Sequence, residues 1–382
     1  MTAPHIAWAG SQDPEAPLVV LLHGRGSAET EIIAQAEHLP AGPAYAAVRA
    51  PIAEGGGYAW FANRGLGRPI AASLVEQMAW FRSWLDETAP CGRPVVLVGF
   101  SGGAAFAGGL VLADPTRFAG AAILYGTLPF EAGVPRGPAR LAGLPVFVAQ
   151  GEQDHVLPAE LMAATWSYLL GDSGAPAMAG RYPGGHGLTP AAVADLAQWL
   201  GERLAYLAVH GPAPVGPAAD VMWRGLPGGV LPARRGPRPA VEHRIPQQQL
   251  DQNAPTDLQE RLFARLTELD GVSSAPSAIS VPGARGFILA DSQGPDEAFL
   301  VPSAGEFAHL HPAHDGSLHL SLPMPQAADV LEKGWGVAHP LAGVRLTPGM
   351  VMVFGPRDDT ELDTVTGIVT ASHDYARQRV GC

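Results

Sequence analysis

The feature that most constrains the fold is an alternation of short apolar runs with longer amphipathic segments across residues 1–210. The apolar runs, predicted as strands, lie at residues 18–22, 44–48, 95–98, 121–124, 146–149 and 178–182. The amphipathic segments, predicted as helices, lie at residues 70–86, 102–112, 158–170 and 190–207. This alternation predicts an α/β fold, with a mostly parallel sheet between helical layers and any ligand site at the carboxyl ends of the strands.

Proline marks the end of this pattern. Eight prolines lie between residues 208 and 247. Proline interrupts an α-helix and has no backbone N–H to donate to a neighbouring β-strand. We therefore predict a semi-rigid linker over residues 211–246, between a first domain at residues 1–210 and a second at residues 247–382. The total of 382 residues leaves room for two separate cores.

A different pattern follows the linker. Helices are predicted at residues 257–269 and 361–377. Strands are predicted at residues 278–281, 286–289, 298–301, 318–320 and 350–354. This arrangement indicates a second, smaller α+β domain.

Charge and apolar patterning exclude several classes of partner. The net charge of -12 is spread over both halves without a cluster of basic residues, so we expect no nucleic-acid partner. No uninterrupted run of about 20 apolar residues is present, so we expect no membrane partner. Cys91 and Cys382 form no disulfide framework, and the N-terminus lacks a signal-peptide pattern. These features predict a cytoplasmic protein.

One motif carries a candidate nucleophile. The predicted strand at residues 95–98 runs into Gly99-Phe100-Ser101-Gly102-Gly103 and then into a helix. G-x-S-x-G in this context forms a strained turn that lifts the serine hydroxyl above the sheet. The alternative interpretation is a glycine-rich helix start in which Ser101 acts only as a cap.

A serine hydroxyl needs a base to accept its proton, and His186 is the candidate. It follows the predicted strand at residues 178–182, in a glycine-rich loop just before a helix. His155 and His210 are the competing bases.

An acid must orient the imidazole, and we expect it on the loop after the preceding strand. Asp154 has that place, directly after the strand at residues 146–149. Asp172 lies at the far end of the next helix, and Glu152 is interpreted as a solvated loop charge.

Attack on an ester builds negative charge on the carbonyl oxygen, which two backbone N–H groups can stabilise. We expect these donors to be the amides of Gly102 and Arg25. His23, which precedes Arg25 in a glycine-rich loop, is interpreted as a structural residue that bonds to the loop backbone.

Four motifs together resemble a known family. They are His23-Gly24-x-Gly26, the G-x-S-x-G turn, Gly151-x-x-Asp154-x-Val156-x-Pro158 and Gly185-His186. In order and spacing over about residues 15–207 they resemble the phospholipase/carboxylesterase family, which includes the acyl-protein thioesterases. The resemblance implies an α/β-hydrolase fold. Gly102 stands where the family usually has Gln, and Ala62 where it usually has an acidic residue, so substrate preference does not carry over.

The resemblance extends to a candidate substrate pocket. Tyr58, Trp60 and Phe61 look like the family's segment that lines the acyl pocket, although they fit ordinary core aromatics equally well. Residues 124–146 contain no long insertion that could form a lid. We therefore expect small, soluble esters as substrates.

The second domain contains a cluster of histidines, His309, His311, His314 and His319. In a strand His309 and His311 face the same side, and a hairpin through Asp315-Gly316 brings His319 opposite them. Such a cluster could hold Zn or Fe, but we favour a structural or interface role and expect no metal.

Residues of about 247–378 resemble a small family labelled luciferase-like. The sequence leaves three roles open for this domain: it could form a homo-oligomer, bind a partner or shape the substrate preference of the esterase.

The sequence thus predicts a serine carboxylesterase that needs no cofactor, with Ser101, His186 and Asp154 as its catalytic residues. A thioesterase with the same triad is the nearest alternative. A non-catalytic or metal-binding interaction protein that works through the histidine-rich domain is the other.

Overall fold

The structure is a computed structural model that describes residues 4–217, 221–290 and 294–377. Its first half contains eleven strands, of which β4 to β7 form two short hairpins. In chain order they are β1 (Ile6–Gly10), β2 (Leu18–Leu22), β3 (Ala44–Val48), β4 (Ile52–Glu54), β5 (Gly57–Ala59), β6 (Asn63–Gly65), β7 (Arg68–Pro69), β8 (Val95–Phe100), β9 (Gly120–Leu124), β10 (Val146–Gly151) and β11 (Ala177–Tyr182).

The other seven strands form one sheet in the order β1-β3-β2-β8-β9-β10-β11. Every neighbouring pair is parallel except β1 with β3. The six strands predicted from apolar runs are all present, so the prediction of a mostly parallel sheet is confirmed. The edge strand β1 was missed because its half-exposed residues give no continuous apolar run.

Helices cover both faces of this sheet. They are α1 (Glu29–Ile32), α2 (Ala71–Thr88), α3 (Gly102–Ala113), α4 (Ala159–Ser167) and α5 (Pro190–His210). Alternate residues of β2 enter opposite cores: Leu18 packs in the cluster that contains α2 and α3, whereas Val19 packs in the cluster that contains α5. The layers leave the carboxyl ends of the central strands free to carry functional loops.

The second half is built on an antiparallel sheet. Its strands are β12 (Val272–Pro276), β13 (Arg285–Leu289), β14 (Glu306–Leu310), β15 (Leu318–Ser321), β16 (Gly336–Ala338) and β17 (Met350–Val353), in the order β12-β13-β14-β15-β17-β16. Its helices are α6 (Thr256–Thr267), α7 (Met324–Glu332) and α8 (Asp359–Arg377). The helices share one apolar core with alternate strand residues such as Ala308 and Leu320. The predicted α+β organisation is confirmed.

Two strand predictions in this half are wrong. Residues 278–281 form bends, and residues 298–301 begin with the last residue of a short 3-10 helix at Asp296–Ala298. The apolar residues in this stretch are buried. The prolines at 295 and 302 on either side have no N–H to donate, so they limit the pairing of this stretch with a neighbouring strand. Strand β12 was missed because four of its five residues are exposed, so it carries no apolar run.

The proline-rich segment packs on the second half from residue 221 onward. Trp223 is fully buried, and its Nε1–H donates to Asp329 Oδ2 at 2.7 Å. Leu231 is also fully buried, and the Arg234 amide donates to Lys333 O at 2.9 Å. These contacts hold a chain segment of irregular backbone against α7.

The two halves also contact each other directly. Arg203, on α5, is buried and donates from Nε to Ala119 O at 2.7 Å and from a terminal nitrogen to Gly343 O. Val344 packs into the same apolar cluster as Leu200. Arg345 forms an ion pair with Glu202 at the edge of this contact.

None of the helices in the described stretches has the length and apolar content that crossing a bilayer requires. Cys91 is an exposed free thiol, and Cys382 lies outside the described residues.

Candidate active site

Ser101 lies at the junction of β8 and α3 in a strained backbone conformation. Its φ of 53° and ψ of -115° place a non-glycine residue in the sparsely populated positive-φ region. The Ser101 amide donates to Leu124 O at 2.9 Å, which ties the turn to β9. The turn places the side chain at the carboxyl end of the sheet.

The glycines of the motif are required by close packing. A Cβ atom at Gly99 would lie less than 3.0 Å from the Gly103 carbonyl oxygen. A Cβ atom at Gly103 would lie equally close to Leu22 O at the end of β2. Helix α3 therefore begins in direct backbone contact with the sheet, and this contact positions Ser101.

Three side chains from three loops form a continuous chain of hydrogen bonds. Ser101 Oγ lies 2.7 Å from His186 Nε2, and His186 Nδ1 lies 2.8 Å from Asp154 Oδ2. The second carboxylate oxygen of Asp154 accepts the amides of Val156 at 3.0 Å and Leu157 at 3.3 Å. The Asp154 side chain is fully buried, and that of His186 is 13% exposed. This arrangement can transfer a proton from the hydroxyl to the imidazole while the carboxylate stays fixed.

The loops that carry Asp154 and His186 are held together by their backbones. The Gln153 amide donates to Gly184 O at 2.9 Å. A Cβ atom at Gly151 would clash with the carbonyl oxygen of Gly185. Glycine in both loops is therefore part of what brings the acid and the imidazole within reach.

The alternative bases lie elsewhere. His155 is exposed beside the acid loop. His210 is exposed at the end of α5, where it stacks on Tyr206 with ring centroids 4.4 Å apart.

The alternative acids and His23 also lie outside this chain of hydrogen bonds. Glu152 is exposed, and Asp172 pairs with Arg238 at 3.3 Å. His23 is fully buried, with Nδ1 bonded to Gly24 O at 2.7 Å and Nε2 accepting the Ala50 amide at 3.1 Å. Burial lowers the pKa of His23, which fits the neutral, structural imidazole expected there.

Two backbone amides lie beside Ser101. Gly102 is the first residue of α3, where N–H groups have no partner within the helix. A Cβ atom on Gly102 would lie 3.3 Å from the amide nitrogen of Arg25, so the two residues are in close proximity. The Arg25 side chain pairs with Glu54.

Two cavities meet at Ser101. A narrow pocket of about 60 Å³ is lined by Ala59, Trp60, Phe61 and Leu157 together with Ser101. A wider groove of about 430 Å³ is lined by residues that include Ser101 and His186. A ligand bound at Ser101 could therefore extend into both cavities.

The three aromatic residues predicted for the pocket differ in their positions. Trp60 and Phe61 line the narrow pocket, and Trp60 also stacks on Phe106 at 4.6 Å between ring centroids. Tyr58 is found in neither cavity lining, because its ring lies under the Arg49 guanidinium, 4.8 Å from it.

Sequence reasoning missed two residues at the rim. Leu66 and Val156 line both cavities although they are 50% and 47% exposed. Large apolar side chains in loops next to the motifs were the available signal.

The structure also gathers the predicted histidine cluster. The possible ligand atoms of His309, His311 and His319 all lie within 4.8 Å of one another, and the three side chains are buried. His314 is exposed on the connecting turn.

The fold and the serine turn define the class as α/β hydrolase. Residues 4–202 match the phospholipase/carboxylesterase family, and the chain belongs to that family. The first half of the chain thus belongs to a family of hydrolases. Residues 304–372 match the luciferase domain family.

The individual relatives also fall into two groups, luciferases and hydrolases. A luciferase of Armillaria gallica is 36% identical over 166 residues, which cover 38% of this chain and 60% of that protein. The match thus spans less than two thirds of the luciferase. A putative hydrolase of Bacillus subtilis (strain 168), MhqD, is 28% identical over 205 residues, 52% of this chain and 98% of the relative. A Bacillus cereus carboxylesterase structure has 24% identity and a TM-score of 0.46, covering 52% of this chain and 94% of its own.

Proposed function

We propose that this protein is a serine carboxylesterase that hydrolyses small, soluble carboxylic esters through an acyl-enzyme intermediate. The observation that carries the proposal is the hydrogen-bonded chain from Ser101 through His186 to Asp154, with contacts of 2.7 and 2.8 Å. A hydroxyl in this arrangement is activated as a nucleophile by the adjacent base.

In the first step Ser101 Oγ attacks the ester carbonyl carbon, and His186 Nε2 takes the hydroxyl proton. The imidazolium that forms is stabilised by the Asp154 carboxylate, which accepts a hydrogen bond from Nδ1–H and stays ionised. The tetrahedral intermediate collapses as His186 gives its proton to the leaving alcohol oxygen. The acyl group is then bonded to Ser101.

Water completes the cycle. His186 removes a proton from the water as its oxygen attacks the acyl carbon, and then returns a proton to Ser101 as the acid leaves. In both steps the amides of Gly102 and Arg25 are the proposed donors to the oxyanion. One such donor contributes roughly 3 to 4 kcal/mol to transition-state stabilisation.

The narrow pocket supports a short acyl group. One water molecule occupies about 10–15 Å³ of cavity volume. The pocket volume of about 60 Å³ therefore has room for roughly four to six water-sized groups. Trp60, Phe61 and Leu157 would contact the acyl chain, and the wider groove would take the alcohol.

A panel of p-nitrophenyl acetate, butyrate and decanoate tests this proposal. We expect kcat/KM for the two short esters to exceed that for decanoate by at least about tenfold, because the pocket is small. Ser101→Ala should lower kcat by on the order of 10⁵-fold without changing the unfolding midpoint. Ser83→Ala, an exposed serine on α2, is the matched control and should leave kcat unchanged.

A folded Ser101→Ala variant that keeps more than about a hundredth of the wild-type kcat would contradict the proposal. A matched series of acyl thioesters separates the alternative activity. Turnover of thioesters more than about tenfold above that of the corresponding esters would identify a thioesterase instead. No turnover of either series by the wild type would favour a binding protein.

A further inference from the structure

The second half contains a buried group of imidazoles that the proposed esterase does not use. Strand register places His309 of β14 directly opposite His319 of β15. Both point away from the helices, because their neighbours Ala308 and Leu320 enter the helical core. His311 follows β14, and its ring lies 4.8 Å from that of His319 and 5.4 Å from that of His309, measured between centroids.

Carboxylates fix the protonation of two of these rings. His309 Nδ1 lies 2.9 Å from Glu306 Oε1, and His311 Nδ1 lies 2.6 Å from Asp315 Oδ2. An ionised carboxylate accepts hydrogen bonds, so each Nδ1 carries the proton and each Nε2 presents a lone pair.

The third ring is fixed by an amide. His319 Nε2 lies 3.0 Å from Gln247 Oε1, and the Gln247 amide nitrogen donates to Ala338 O at 3.2 Å. The oxygen of Gln247 therefore faces the imidazole, so His319 Nε2 carries the proton and Nδ1 presents the lone pair.

Two of the lone pairs meet without a proton between them. His309 Nε2 and His319 Nδ1 are 3.2 Å apart, and both are acceptors in the arrangement above. Nitrogens bound to one tetrahedral Zn²⁺ at about 2.0–2.1 Å lie about 3.3 Å apart, which matches this spacing.

We propose that His309 Nε2, His311 Nε2 and His319 Nδ1 bind one divalent transition-metal ion of the kind that imidazole favours, such as Zn²⁺ or Fe²⁺. Glu306, Asp315 and Gln247 bond to the second nitrogen of each ring. This is the pattern by which metal sites fix the tautomer and orientation of their histidines. The structural or interface role expected from the sequence gives no account of three lone pairs that converge in a buried space.

Three histidine ligands would leave the bound ion with an open coordination position. Three protein ligands are typical of sites that bind a further water or substrate, whereas structural sites use four. The histidines line a cavity of about 450 Å³ whose other walls include Ile279, Leu341 and Met350. The site therefore fits a small organic ligand with one oxygen donor for the metal and an apolar body for the cavity.

A fourth histidine adds a hydrogen-bond donor to this cavity. His339 Nδ1 accepts the Leu341 amide at 3.1 Å, so its Nε2 carries the proton. Its ring lies 5.2 Å from that of His319 and is part of the cavity wall. His339 is thus placed to donate to a group bound at the metal.

Calorimetric titration of the full chain with Zn²⁺, after removal of metal by a chelator, tests the site. We expect close to one ion bound per chain, and the loss of this binding in His311→Ala. Asp315→Asn, which keeps every ligand, should weaken binding by about 10- to 100-fold because the orientation of His311 is loosened. His314→Ala removes an exposed histidine from the same turn and should bind as the wild type does.

Thermal unfolding separates loss of the site from loss of the fold. Zn²⁺ should raise the melting temperature of the wild type and of His314→Ala but not that of His311→Ala, whose near-UV circular dichroism should match the wild type. Absence of stoichiometric binding by the wild type would overturn the proposal. Equal affinities for folded His311→Ala and His314→Ala would do the same.

Discussion

At the scale of single residues, the proposed chemistry depends on how Asp154 is held. One carboxylate oxygen accepts two backbone amides, and the other accepts from His186. The acid therefore cannot rotate without losing several bonds, and the imidazole it orients presents Nε2 to Ser101. The tautomer of His186 is a consequence of this buried carboxylate.

Asp154→Asn tests that dependence. An amide nitrogen facing Nδ1 would favour the opposite tautomer, so we expect kcat to fall by about 10⁴-fold with little change in geometry. Steady-state hydrolysis of p-nitrophenyl acetate measures the effect. Asp86→Asn, at an aspartate whose side chain is 70% exposed, is the control and should have no effect. Retention of more than about a tenth of wild-type kcat by Asp154→Asn would refute the role assigned to the acid.

The three residues of the proposed triad could be singled out from the sequence because each follows a recognisable strand and sits beside glycines that permit a close loop. The cavity wall could not be predicted in the same way. Leu66 and Val156 reach it through the paths of irregular loops, which leave no periodic pattern in the sequence. Tyr58 was assigned to the pocket by resemblance, but its ring packs under Arg49.

At the scale of elements, the packing of the start of α3 against β2 positions Ser101, the proposed nucleophile. Gly103 is in backbone contact with the last residue of β2, so the turn, the helix and the sheet are coupled. The sequence revealed this unit because a buried strand and a helix flank one motif. It did not reveal β12, whose exposed polar residues lack the apolar signal of a central strand.

Gly103→Ala tests the close contact. The added methyl group would overlap Leu22 O, and we expect a loss of about 1–3 kcal/mol in the free energy of unfolding, together with lower kcat. Urea denaturation gives the first quantity. Gly137→Ala is the matched control, because a Cβ atom there meets no atom within 4 Å. Equal stability of the two variants would show that the helix start tolerates a side chain.

At the scale of the whole molecule, the two halves are joined by more than the proline-rich segment. Arg203 bonds to a carbonyl in each half and is 1% exposed. Burial lowers its pKa to about 10, so the guanidinium stays charged at neutral pH. The proline content predicted the linker between the two halves. The direct contact between them could not be predicted, because residues far apart in the sequence leave no local pattern when they meet.

Arg203→Met should weaken this contact. Two buried carbonyl groups would lose their donor, at a cost of about 1–3 kcal/mol for each unsatisfied group before relaxation. We expect a lower urea midpoint. Arg345→Ala removes a half-exposed ion pair with Glu202 at the same interface and should cost no more than about 1 kcal/mol. A larger loss in Arg345→Ala than in Arg203→Met would contradict this account.

The central claim is that Ser101 forms a covalent bond to the acyl group. Its most direct test is mass spectrometry of the intact protein after treatment with a fluorophosphonate, which reacts with activated serine hydroxyls, followed by peptide mapping. We predict one adduct per chain, located on Ser101, with complete loss of ester hydrolysis. Labelling of another residue, or equal labelling of Ser101→Ala, would contradict the account.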